Sequence, residues 1–349
     1  MSQRSVPIVS VVMPAYNAEK FIGEAIDSIL GQTFTDFEFI IVNDGSADKT
    51  KEIIESYDDP RIVYLENEKN SGIVKTLNKG LDAARGKYIA RMDADDISMP
   101  ERFAEQVRYL ERHPDIGIVG SWLRIIDGNG VYKYDFMYKT RPDDCYANMI
   151  YGTPVAHPAV MLRAEVLRNN NLNYDDNFRG IEDYFLWWQC RKYTKIANIA
   201  HPLIHYRKHN SQITNNQISE DFLEKQEKFM KIRLKDIGVD YNESEFDAFI
   251  RYTRQRNSFN DTQIYLFMDF LKKILETTSI EQPALKSAVK QFIAEMITSV
   301  IDKSRQHLIS KTRIGYLNAA FRKGLIPFSW LLKLWLIRIK NCMIKWLKR

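Results

Sequence analysis

The chain has 349 residues, 45% of them hydrophobic and 27% charged, with a formal net charge of +5 at pH 7. That is long and apolar enough for one large α/β domain with an appendage, or two modest domains, and it excludes a disordered polymer. Three dispersed cysteines (Cys145, Cys190, Cys342) exclude a disulfide framework and a zinc site and suit a reducing compartment, with the cytosol as the expected location.

The charge is uneven. Residues 303–349 carry 12 Lys/Arg and no Asp/Glu, so the remainder of the chain is net acidic. The opening residues lack the charged, apolar and small-residue regions of a signal peptide and are expected to form a buried strand instead.

In chain order, the β-branched run 8–14 predicts a strand. Asn17 is then expected to cap a helix with Phe21, Ile22, Ala25, Ile26, Ile29 and Leu30 on its apolar face. Residues 37–42 predict a second strand, 50–57 a helix, 61–65 a third strand, 73–84 a helix and 88–92 a fourth strand. A helix over 100–113 and a strand over 116–126 follow. The turn signal Asp127-Gly128-Asn129-Gly130 ends this regular rhythm, and from about Ile218 to Leu308 the pattern is helical. Alternating strands and helices predict a Rossmann-like, mainly parallel sheet whose ligands lie beyond the carboxyl ends of its strands. The domain boundary is expected near Asn215-Asn216, giving a catalytic domain over 1–215 and a helical region over 216–349.

Two strand ends carry chemistry. Asp93, Asp95 and Asp96 fall within four residues, and such clustered carboxylates repel one another unless a cation neutralises them. A hard divalent ion, Mg²⁺ or Mn²⁺, would do so and keep positions open for diphosphate oxygens; a solvated, helix-capping acidic turn is the alternative. Asp44, in Asn43-Asp44-Gly45-Ser46, can accept from a nucleotide base, though this tetrapeptide also makes an ordinary turn. Together the two strand ends describe a nucleotide-diphosphate pocket better than two independent turns do.

The ordered motifs SVVMPAYN (10–17), VNDGSADKT (42–50), NSGIVKTLNKGL (70–81), GKYIARMDADD (86–96), HPAVMLR (157–163), IED (181–183) and YRKHNSQIT (206–214) resemble the signature of family 2 glycosyltransferases of the GT-A fold. The resemblance implies that Pro14, Ala15, Tyr16 and Asn17 line the nucleotide pocket and that Asp44 holds the base. It gives Asp93, with Ala94, a contact to the ribose or the sugar, and Asp95 the metal of the DxD motif, with His209 as a second metal contact. Asn70, Gly72 and Asn78 would touch the nucleotide or Asp93, or else serve capping and packing. Arg207 would contact the diphosphate, a role suited to a planar guanidinium. Asp183, with Glu182 as fallback, becomes the catalytic base, and a carboxylate beside the aromatics at 184–188 is expected to hold its proton more tightly than usual. His157 would stand on the acceptor side.

The implied reaction is an inverting single displacement. A hexose or N-acetylhexosamine would pass from a UDP-sugar to a hydroxyl of a glycan, itself carried on a lipid diphosphate, in O-antigen, capsule or other surface-polysaccharide assembly. A dTDP-sugar (rhamnosyl) transferase of the same fold and an inactive membrane-associated scaffold are the alternatives.

The tail 325–349 is too often interrupted by Lys and Arg to span a bilayer, and its Trp330, Trp335 and Trp346 suit an amphipathic helix on an anionic membrane surface. Docking on the protein's own core or in a homo-oligomer is the other reading, and no nucleic-acid partner is expected. The whole would sit in the cytoplasm, peripheral to the inner face of the cell membrane. A processive synthase would carry spans and a Gln-x-x-Arg-Trp motif, and a dinucleotide oxidoreductase a G-x-G-x-x-G turn after its first strand; neither is found.

Overall fold

The computed structural model describes residues 6–150, 152–209, 219–253, 261–281, 288–291, 293–295, 297 and 319–325. The contacts divide the chain at Phe229 and Met230 into two compact units. The expected boundary near Asn215-Asn216 and the basic tail beyond Leu325 both lie outside the described residues.

In the first unit, β1 (Val9–Ala15), β2 (Phe37–Asn43), β3 (Ile62–Glu66) and β4 (Tyr88–Arg91) form a parallel block, joined by α1 (Ile22–Leu30), α2 (Thr50–Glu55) and α3 (Ile73–Ala83). The first two strands are buried at every position, as their continuous apolar runs require of strands covered on both faces. Short β5 (Ile97–Ser98), α4 (Arg102–Arg112), β6 (Ile116–Asp127) and β7 (Tyr132–Phe136) follow. Then come α5 (Pro142–Met149), β8 (Met161–Arg163), α6 (Ala164–Arg168), α7 (Glu182–Cys190) and β9 (Lys195–Lys208). The sheet runs β3-β2-β1-β4-β8-β6-β9-β5, with β7 paired to β6. Three antiparallel strands, β5, β7 and β8, enter an otherwise parallel array. Val11, Met13, Phe39, Ile41, Ala90, Ile26, Phe103 and Leu110 belong to the core between sheet and helices.

Asn17 does not cap α1. It takes a left-handed conformation (φ 47°), and the helix starts five residues later, after a turn in which the Ala18 carbonyl accepts from Phe21 and Ile22. The turn after β6 forms as read, with Asp127 Oδ1 accepting from the Asn129 and Val131 N–H groups and Gly130 at φ 81°.

The second unit is helical where described, with the end of α8 (Glu220–Asp236), α9 (Glu243–Thr253) and α10 (Asp261–Glu281). Asn242 and Glu245 form a reciprocal cap at the start of α9, each side chain accepting the other's N–H at 2.9–3.0 Å. Phe249, Phe267 and Phe270 pack beside it. Among the described residues, no helix is long and apolar enough to cross a membrane.

Candidate active site

Adjacent parallel strands bring three carboxyl-terminal ends together. At the first, Pro14 and Ala15 are buried, and the Ala15 carbonyl accepts the Asp44 N–H at 2.8 Å. Tyr16 is 49% exposed. Asn17 laces this end to the second, its N–H donating to Ser46 Oγ and its Oδ1 accepting from Ala47, both at 3.0 Å. Asp44 is buried, and its carboxylate accepts from Asn67 Nδ2 (2.7 Å), the Ser71 N–H (2.8 Å) and the Gly72 N–H (2.9 Å). Asn70 Oδ1 also faces that Gly72 N–H, at 3.1 Å. Asp44 thus shapes the 67–72 loop, and a base would share its oxygens with that loop.

Both ends of the Asn78 amide are used on the Tyr174 backbone, at 2.8 and 3.0 Å, so it clasps the segment before α7, in keeping with the packing alternative.

At the third end, Asp93, Asp95 and Asp96 place oxygens within 4.8 Å of one another. The segment is fixed from β9, because Ile97 pairs with His205 and the Arg207 N–H donates to Asp96 Oδ1 at 2.8 Å. Two residues on, His209 Nε2 lies 2.9 Å from Asp95 Oδ2, and its ring packs on Phe21. His209 and Asp95, 114 residues apart in sequence, therefore meet. The Arg207 side chain is 2% exposed, its Nε donates to the Asp95 carbonyl at 2.9 Å and its Nη2 pairs with Glu24, so the guanidinium buttresses the acidic turn.

Burial lifts the Asp93 and Asp96 carboxyls above their usual range, Asp96 strongly, with repulsion inside the cluster adding to it. Asp96 is 1% exposed and its Oδ2 has no hydrogen-bond partner among the described residues. An orphaned buried carboxylate oxygen is costly unless a cation or donor arrives. Three carboxylates and an adjoining imidazole thus fit a divalent cation of the Mg²⁺ or Mn²⁺ class.

Asp183 and Glu182 open α7. Glu182 Oε2 is turned back onto the Gly180 N–H at 2.5 Å, whereas Asp183 Oδ1 accepts from Tyr184 N–H at 2.6 Å. Burial first, then the Glu182 charge, pushes the Asp183 carboxyl up to about 7, with Arg91 opposing. His157 shares a 2.7 Å hydrogen bond with the Tyr174 hydroxyl and lies edge-on to Trp187 of α7. Burial and the Arg91 charge hold it well below its usual range, so it is neutral.

Sequence reasoning passed over Arg91, which forms an ion pair with Asp93 and whose charge is felt by His157, Tyr174, Glu182 and Asp183. Its signal was available: a charged residue closing an apolar strand needs a partner. Glu24 and Asn67 carried no such signal, because their partners, Arg207 and Asp44, lie 183 and 23 residues away in sequence.

The chain matches the family described as "Glycosyl transferase family 2" over residues 10–169. Among its relatives is an uncharacterized glycosyltransferase of Haemophilus influenzae, 35% identical over 248 residues, covering 67% of this chain and 76% of that one. The O-antigen biosynthesis glycosyltransferase WbnJ of Escherichia coli is 31% identical over 230 residues, covering 63% and 87%. Among solved structures, S. aureus TarS 1–349 in complex with UDP-GlcNAc superposes with a TM-score of 0.55, covering 90% of this chain and 92% of that one. At 19% identity that likeness speaks for the fold. With the motifs in order on a GT-A sheet and a relative of this identity and coverage, the chain belongs to glycosyltransferase family 2 and is a transferase enzyme.

Proposed function

We propose that this enzyme moves a hexose or N-acetylhexosamine from a UDP-sugar, with inversion, to a hydroxyl of a glycan carried on a lipid diphosphate, in the assembly of a surface polysaccharide such as O-antigen or capsule. One observation carries the reading. The ends of β4 and β9 bring Asp95 and His209 to 2.9 Å beside two further carboxylates, and Asp183, with a proton affinity suited to a base at neutral pH, shares the field of Arg91 with that cluster. The UDP-GlcNAc complex of TarS and the O-antigen role in the name of WbnJ support the choice of donor and product class.

In this reading Asp95 and His209 hold the divalent cation, with Asp96 to complete its surroundings. That cation, when bound, offsets the charge of the departing nucleoside diphosphate. Asp183 takes the proton of the acceptor hydroxyl as it attacks the anomeric carbon, and neutral His157 lines the acceptor side. Pro14 to Asn17, Asp44 and the 70–72 loop enclose the nucleotide, and Asp93 receives a hydroxyl of the donor. Residues 1–215 are the catalytic domain, and the basic segment 325–349 holds the protein on the inner face of the cell membrane.

The test is a panel of UDP- and dTDP-sugars with Mn²⁺ or Mg²⁺ and lipid-linked or aryl-glycoside acceptors, read as nucleoside diphosphate release. Release from one donor that both EDTA and Asp183→Asn abolish supports the reading and names the sugar. Absence of turnover together with absence of nucleotide binding leaves a scaffold.

A further inference from the structure

The strand β4 is apolar from Tyr88 to Ala90 yet ends on a charged residue, Arg91, which is 6% exposed. A guanidinium taken out of water needs a partner. Its Nη1 is ion-paired with Asp93 Oδ2, and among the described residues neither that nitrogen nor the buried Nε makes a hydrogen bond, so the charge of Asp93 is what answers the guanidinium. The two side chains differ in access: that of Arg91 is 8% exposed and that of Asp93 29%. The cation therefore stands behind the carboxylate, on the protein side, and the carboxylate stands in front.

The backbone under Arg91 is held from both sides. Its N–H donates to the Val160 carbonyl at 3.0 Å, and its own carbonyl accepts from Arg102 Nη2 at 2.7 Å. Arg102 is itself fully buried and also donates to the Val160 carbonyl, at 3.2 Å. A fork mounted on so fixed a base has little freedom, whereas an Asp93 side chain left to itself would turn away from Asp95 and Asp96, whose charges repel it. The Lys ammonium, a point charge on a flexible stem, could supply the charge at this position but not the fork.

We propose that Arg91 is a positioning residue for the donor: its buried guanidinium holds the Asp93 carboxylate at the angle at which that carboxylate receives a hydroxyl of the nucleotide sugar. This rests on the function proposed above and adds a residue to it. Arg91 acts through Asp93, so its contribution vanishes when Asp93 cannot do its part.

The experiment is a double-mutant cycle read by calorimetry of UDP-GlcNAc, UDP-glucose and dTDP-rhamnose binding with Mn²⁺, on the full chain. The proteins are the wild type, Arg91→Met, Asp93→Asn and the double variant, each checked for an intact thermal transition. Arg91→Met is expected to weaken the preferred donor tenfold or more, the double variant to bind as Asp93→Asn does, and Arg91→Lys to recover part of the loss. Should Arg91→Met fail to fold, Arg91→Lys and Arg91→Gln carry the same cycle. Losses that multiply in the double variant, or no loss in Arg91→Met, overturn the positioning role and leave the transferase reading standing. A wild type that binds none of the nucleotide sugars sinks both.

Discussion

Replacing Asp183 by Asn gives two readouts of opposite sign. The carboxyl is raised from 3.8 to about 7, mainly by burial, so the native state favours its protonated form. A raised acid contributes stability in full below pH 3.8 and loses it as pH climbs through about 7. At about 1.36 kcal/mol for each tenfold change in proton affinity, the ionised carboxylate costs the fold at most about 4 kcal/mol above that pH. Asparagine, nearly the same shape and uncharged, escapes that cost. The variant is therefore expected to melt several degrees above wild type at pH 8 and to converge with it near pH 4. Activity moves the other way, since the base works only when ionised. In wild type, kcat/KM should fall about tenfold per pH unit below the limb near 7, and in the variant it should be lost together with the limb. Thermal melts from pH 4 to 9 and initial-rate profiles at fixed metal supply both measurements. Equal melting of the two proteins across the range, or a wild-type rate flat from pH 5 to 8, would refute the assignment of a perturbed carboxyl to this position.

Removing the imidazole with His209→Ala should weaken Mn²⁺ binding by about tenfold or more, measured by calorimetry on metal-stripped protein, because Asp95 loses the neighbour it meets at 2.9 Å. Arg207→Ala leaves the Asp95 carbonyl without its donor, while Glu24, 60% exposed, can turn to water; the loss is expected at about 1–3 kcal/mol, which denaturant melts will read. Gly45→Ala sets a Cβ 2.6 Å from the Lys69 carbonyl carbon at a residue with φ 66°, so the 67–72 loop must shift. Nucleotide affinity should fall and stability drop by more than about 1 kcal/mol; unchanged UDP binding would separate that loop from the pocket.

The parallel half of the sheet was readable because its strands are short apolar runs between helices with a clear apolar face, so β1 to β4 and α1 to α4 fall within a few residues of the expected limits. Three strands, one before Gly130 and two after it, escaped the pattern for a physical reason. β7 is an exposed edge strand, β8 has three residues and β5 two, so none shows a usable period. At the site, motif order pointed to Asp95 and His209, whose meeting depends on β9 running parallel to β6 and antiparallel to β5. For Arg207 and Asn78, residue type reveals what the side chain can bind but not which neighbours engage it. Arg207 is consumed by Glu24 and a main-chain carbonyl, Asn78 by Tyr174.

The hold that β9 keeps on the acidic turn sets a lower limit on any transplantable piece of this enzyme. The family match ends at residue 169, yet the N–H that braces Asp96 belongs to Arg207 and the imidazole beside Asp95 to His209. A chimera joined at the end of the matched region would inherit the acidic turn without its brace and would strip β6 of its long parallel neighbour. Junctions for exchanging parts between relatives belong beyond His209, so that donor pocket and closing strand travel together.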